Sequence, residues 1–97
     1  MKRLAEVFGS ESFTNLRNLI DGANLVLQWE KAVDKTISSQ TEALKFEKGT
    51  IFIKVKSSAW ANELKFLKEK MIARLNKYVG KNIVSDIRFL VKGVNHG

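Results

Sequence analysis

Residues 41–60 read TEALKFEKGTIFIKVKSSAW, and this stretch decides the fold. Two runs of alternating apolar and polar residues flank Gly49, which can adopt the positive φ that a tight β-hairpin turn needs. Because side chains alternate along a strand, one face of the second run is wholly aliphatic and is predicted to join the core. The other face combines the ring of Phe52 with the ammonium groups of Lys54 and Lys56.

Two helices are predicted before the hairpin. Apolar spacing indicates a short helix over residues 12–20, interrupted at Asp21-Gly22, and a second helix from Asn24 to about Ser38. Trp29 lies on the apolar stripe of the second helix and is therefore predicted to be a core residue.

A long helix is predicted after the hairpin, over residues 57–79. Ser57 or Ser58 can cap its N-terminus, and Gly80 can end it in the left-handed conformation. Trp60 lies on the apolar stripe of this helix, so its indole is expected to pack on the sheet. Phe66 points about 120° away from Trp60, outside that stripe.

The last predicted element is a strand within residues 82–93, which gives the order α-α-β-β-α-β. We expect an α+β fold, a two-layer sandwich in which helices cover one face of a three-stranded sheet. Residues 12–92 are predicted to form a single domain, with an N-terminal segment at 1–11 and a short tail at 93–97.

The charge of the chain is concentrated in its second half. The net charge is +7, but residues 1–44 hold five Lys and Arg against six Asp and Glu, whereas residues 45–97 hold twelve against four. The net charges of the two halves are thus −1 and +8. Lysines gathered around one strand–helix–strand unit favour a polyanion partner such as nucleic acid, although surplus lysine can also serve solubility alone.

The sequence offers no chemistry for catalysis. It has no cysteine, and its single histidine, His96, has no second ligand at metal spacing, so neither a metal site nor a cofactor is expected. Phosphate-binding glycine motifs are absent, and capping explains the serines at 57 and 58. No apolar run is long enough for a signal peptide or a membrane span. We therefore expect a cytoplasmic binding module that is not an enzyme, with neither a membrane nor a small-molecule substrate as partner.

Five motifs together resemble one bacterial protein family. They are QWEKAVDKTI (28–37), GTIFIKV (49–55), SSAWANELKFLK (57–68), RLN (74–76) and SDIRF (85–89). This set is similar to the DciA family, proteins associated with the replicative DNA helicase, and the resemblance extends over roughly residues 12–92.

The resemblance implies a K-homology (KH)-like fold, similar to the first domain of the initiator DnaA. It also implies a role in loading or activating the helicase, through contacts with the helicase and with single-stranded or duplex DNA. The GxxG loop of true KH domains is absent, so DNA contacts must use another surface. Many members carry an unstructured extension that helps to bind the helicase. This chain stops soon after the last strand, so we expect the folded module with part of that contact missing.

Two groups of side chains are the candidate sites. Six residues are predicted to bind nucleic acid, because cations pair with phosphates and an exposed ring can stack on a base: Lys54, Lys56, Lys65, Lys68, Arg88 and Phe52. Four residues are predicted to bind a protein partner: Phe66, Lys70, Arg74 and Lys77. Two alternatives remain open, a protein adaptor without direct DNA binding and an RNA- or ribosome-associated KH-like domain.

Overall fold

The computed structural model describes residues 10–91, with side chains from residue 16 onward. Its elements in chain order are α1 Ser10–Leu27, α2 Trp29–Ala32, α3 Lys35–Ser39, β1 Thr41–Glu47, β2 Thr50–Val55, α4 Ser58–Phe66, α5 Lys68–Val79 and β3 Asp86–Val91. The predicted tail at 93–97 lies outside the described residues, as does most of the predicted segment at 1–11.

The three strands form one mixed sheet in the order β1-β2-β3. β1 runs antiparallel to β2 across a tight turn, in which Lys48 and Gly49 both have positive φ values, of 50° and 84°. β3 pairs parallel to β2, and α4 and α5 form the crossover connection that parallel strands need. The predicted α+β class and three-stranded sheet are therefore confirmed. Within the described residues, no helix is long and apolar enough to cross a membrane.

The core lies between one face of the sheet and the helices. Every second residue of β2 (Ile51, Ile53 and Val55) is fully buried, and these residues pack with Leu64 and Leu75 of the helix layer. The aliphatic face predicted from the sequence is thus the inner face. The opposite face, which carries Phe52 and Lys54, is called the outer face below.

The two tryptophans differ in burial. Trp29 is 4% exposed, which confirms it as a core residue. Its Nε1 donates a hydrogen bond of 2.8 Å to Oγ1 of Thr41, which in turn donates one of 2.7 Å to the carbonyl oxygen of Ile37. Trp60 is only half-buried and packs at the edge of the core.

The helix interruption predicted at Asp21-Gly22 is wrong, because α1 continues through both residues. The chain leaves helical geometry later, at Gln28 and again at Val33. Gly22 is buried against Phe46 of β1, and a Cβ atom at this position would overlap the phenyl ring. The glycine therefore allows a close approach between α1 and the sheet and does not end the helix.

The helix predicted over residues 57–79 is also divided. α4 ends and α5 begins around Leu67, whose φ and ψ of −100° and 4° lie outside the helical range. Its N–H donates a hydrogen bond of 3.0 Å to the carbonyl oxygen of Leu64, which tightens the last turn of α4. Both predicted ends are confirmed, because Oγ of Ser57 accepts a hydrogen bond from the N–H of Trp60 and Gly80 has a φ of 92°.

Candidate nucleic-acid interface and partner surface

A basic row crosses the outer face of the sheet. The strand register places Lys45 beside Phe52 on one side and Arg88 beside Phe52 on the other. Nζ of Lys45 lies 4.7 Å from the centroid of the Phe52 ring, in the range of a cation–π contact. We call Lys45, Phe52 and Arg88 the basic row. Its arrangement is an aromatic ring with a cation on each flank.

Sequence reasoning missed Lys45. Strict alternation along β1 would place Ala43 and Lys45 on the same face, and Ala43 pairs with the inward-facing Ile53. A β-bulge at Leu44 adds one residue to β1, so Lys45 turns to the outer face and Phe46 turns to the core. The only signal in the sequence is the position of Phe46, a large apolar residue that needs a core site.

Lys54 and Lys56 continue the positive charge along β2. Lys54 lies on the outer face between Glu42 of β1 and Leu90 of β3. Lys56 is exposed just beyond the end of the strand. Among residues 16–91, Lys54, Lys56 and Arg88 form no ion pair with an acidic side chain.

Lys65 and Lys68 lie on the helix layer. Lys65 is exposed near the end of α4, whereas Nζ of Lys68 lies 2.7 Å from Oδ1 of Asp86 at the start of β3. This ammonium, together with the N–H of Ile87, holds the pKa of Asp86 below its ordinary value. The structure therefore brings Lys68 to the border of the sheet, with its charge already paired.

Acidic residues limit the positive surface. Glu47 and Asp86 flank Thr50 in the row next to the basic row, and Glu42 flanks Lys54. Glu47 also lies 3.3 Å from Nζ of Lys45. The cationic part of the outer face is thus limited to the basic row across the strands at Phe52 and to Lys54 and Lys56 along β2.

The predicted partner surface centres on Phe66, the last residue of α4, which is 86% exposed. Lys70 and Lys77 are exposed on α5, which follows it. Arg74 has a different environment. Its Nη1 lies 2.9 Å from Oδ1 of Asp34, and its Nε donates a hydrogen bond of 3.2 Å to the carbonyl oxygen of Ala32. Arg74 therefore ties α5 to the end of α2.

Within residues 16–91, no group of three or more His, Cys, Asp or Glu side chains could hold a metal ion. His96, the single histidine of the chain, lies outside the described residues.

Comparison with known proteins assigns the family. No curated protein matches the chain. The sequence model of one family, described as Dna[CI] antecedent, DciA, matches residues 2–89, which is nearly the whole chain. The chain therefore belongs to the DciA family, whose members are non-catalytic loaders of the replicative helicase in bacterial DNA replication.

Proposed function

We propose that this chain is an accessory module of DNA replication that binds DNA on the outer face of its sheet and the replicative helicase on its helix layer. It would thereby assist loading or activation of the helicase in the bacterial cytoplasm. Family membership supports the helicase as partner. The observation that carries the DNA contact is the basic row of Lys45, Phe52 and Arg88.

The basic row suits a nucleic-acid strand in both shape and chemistry. Adjacent strands lie about 4.8 Å apart, so the backbones of Lys45 and Arg88 are roughly 10 Å apart on either side of Phe52. An aromatic ring can stack on an unpaired base and contribute about 1–3 kcal/mol, while flanking cations pair with phosphates. Both kinds of contact are available at Phe52, which is half-buried in the outer face.

The cations differ in how freely they can pair with phosphates. Lys68 is already paired with Asp86, and Lys45 lies between Glu47 and the Phe52 ring. We therefore assign most phosphate contacts to Lys54, Lys56 and Arg88, and expect Lys65 to extend the surface along the helix layer. Lys68 contributes at the border of this surface.

The helicase surface consists of Phe66, Lys70 and Lys77. α5 buries Met71 and Leu75 against the core, so its exposed residues face away from the sheet. Most of the proposed DNA surface lies on the sheet and the helicase surface lies on the helix layer; the two approach each other only where Lys65 precedes Phe66 at the end of α4. Arg74 supports this surface through its contacts with residues 32–34 and is not expected to contact the helicase directly.

Fluorescence anisotropy with labelled oligonucleotides tests the DNA contact. If about four phosphates are neutralised, the logarithm of the binding constant for single strands should fall with the logarithm of the salt concentration with a slope of roughly −3. Removing two cations should reduce this slope to about −1.5. The Lys54→Glu/Lys56→Glu variant should show this smaller slope and weaker binding. Lys70→Glu/Lys77→Glu has the same charge change on the other surface and should bind DNA nearly as tightly as the parent chain. An equal loss of DNA affinity in both variants would contradict a DNA-binding surface confined to the outer face.

Co-purification with the cognate helicase, with and without DNA, tests the second contact. Phe66→Ala should weaken retention of the helicase and leave DNA affinity unchanged, because Phe66 carries no charge and is not among the residues assigned to the DNA contact. Lys54→Glu/Lys56→Glu should show the reverse pattern. Full helicase retention by Phe66→Ala would remove α4 from the proposed interface.

A second candidate function is a protein adaptor that does not bind DNA directly. The 86% exposure of Phe66, a large apolar side chain, favours it. If the chain retains helicase but binds single-stranded DNA, duplex DNA and structured RNA equally weakly at low salt, the adaptor is the better description.

A further inference from the structure

α1 carries a second apolar surface that the DNA and helicase contacts do not use. Leu16, Leu19, Ile20 and Leu27 are 38%, 57%, 52% and 83% exposed, and Ala23 between them is exposed too. At 100° per residue these five side chains fall within a sector about 100° wide. We call this set the α1 stripe.

The opposite side of α1 already faces the protein. Gly22 and Leu25 are buried there, and the helix packs against β1. α1 is therefore apolar on two sides, whereas a helix at the surface of a monomer usually has one apolar side and one polar side. The α1 stripe is thus the surface of this helix that a further partner would cover.

We infer that the α1 stripe pairs with the same stripe of a second copy of the chain, with the two helices antiparallel. A two-fold axis at the level of residues 21–22 places Leu16 opposite Leu27 of the other copy, and Ile20 opposite its Ala23. A large residue then meets a small one at the centre of the interface, which allows the helices to approach closely.

The area of the stripe agrees with this pairing. Four Leu and Ile side chains with these exposed fractions present about 400 Å² of apolar surface, which is in the range of patches that mark interfaces. Two copies with their flanking residues would bury on the order of 1,000 Å² in total, which is the lower bound for a specific interface.

Charge also favours a second copy on this surface. A chain with net charge +7 repels its own copies, and this repulsion is smallest where the least charged surfaces meet. Residues 16–27 of α1 hold one Arg and one Asp, so pairing through this part of α1 adds no net charge to the interface. Pairing through Phe66 would instead bring Lys70 and Lys77 of both copies together. A dimer built on α1 leaves both outer faces free, and therefore presents two basic rows.

Sedimentation of the purified full chain across micromolar concentrations tests the inference. The parent chain should sediment with twice its mass of 11.0 kDa, and Leu27→Glu should weaken self-association at least tenfold. Phe66→Glu introduces the same charge at an equally exposed apolar site and should leave the dimer intact. Circular dichroism will show that each variant is folded; Ile20→Lys provides a second variant if Leu27→Glu is not.

Crosslinking tests the antiparallel register, since the chain has no cysteine of its own. Mixing Leu16→Cys with Leu27→Cys chains under oxidising conditions should give mainly mixed disulfide dimers, with little product from either variant alone. A monomeric parent chain, or crosslinking of each variant only with itself, would overturn the inference. So would a monomeric parent whose helicase retention is lost in Leu27→Glu, because the stripe would then belong to the helicase.

Discussion

Replacing Gly22 by alanine tests how α1 is held against the sheet. A methyl group at this position would lie 2.7 Å from Cε2 of Phe46, and closer still to Cδ2 and Cγ of the same ring. Because Cγ is fixed near the backbone of β1, rotation of the ring cannot relieve the overlap. Overpacking of this kind costs about 1–3 kcal/mol. Alanine in a helix interior is more favourable than glycine by about 1 kcal/mol of helix propensity, which offsets part of that cost.

We therefore expect Gly22→Ala to lower the free energy of unfolding by up to about 2 kcal/mol, and to lower the Tm by about 4–8 °C for each kcal/mol lost. Urea and thermal unfolding followed by circular dichroism will measure both. Asn24→Ala, an exposed change in the same helix, is the control and should stabilise slightly. Gly22→Ala should cost less in a Phe46→Leu background, where a smaller side chain meets the methyl group. If Gly22→Ala raises stability by the full propensity difference, the proposed contact is wrong.

Three further changes test single interactions by urea unfolding. Asn76→Ala should lower the free energy of unfolding by about 2–3 kcal/mol, because the Asn76 side chain makes three hydrogen bonds to the backbone of residues 83–84. Asn76→Asp keeps the acceptor oxygen and should lower it less. Thr41→Val should cost about 1–3 kcal/mol by leaving Nε1 of Trp29 without an acceptor, whereas Thr41→Ser should be milder. The lowered pKa of Asp86 means that its contribution to stability is present above about pH 4 and is lost as the pH falls through the folded-state pKa. Asp86→Asn should abolish this part of the acid sensitivity between pH 6 and pH 2, and an unchanged pH profile would show that the ion pair does not stabilise the fold.

Local signals in the sequence predicted the parts of the fold that depend on neighbouring residues. Gly49 identified the hairpin because a tight turn needs positive φ at that position. Ser57 and Gly80 identified the outer ends of the α4–α5 region, because both caps are made within one turn of the chain. The alternation of side chains along β2 then predicted which face of the sheet joins the core and which face is the outer one.

The parts that the sequence did not predict depend on contacts between distant residues. Gly22 has the same local signature whether it ends a helix or lies against an aromatic ring, and only the position of Phe46 distinguishes the two. The bulge at Leu44 likewise depends on pairing with β2, and it decides whether Lys45 belongs to the candidate site. The charged surface was therefore predicted along β2 but not across β1.

The strand order makes β2 the only strand of the described sheet that is hydrogen-bonded along both edges. Its inward side chains are also completely buried, and its N–H groups point alternately to β1 and β3, so the whole β2 backbone is exposed only when both neighbouring strands have separated. Amide hydrogen exchange should consequently be slowest in β2 and faster at the border strands. β3 can detach without breaking the local hairpin, whereas release of β2 requires the whole sheet to come apart.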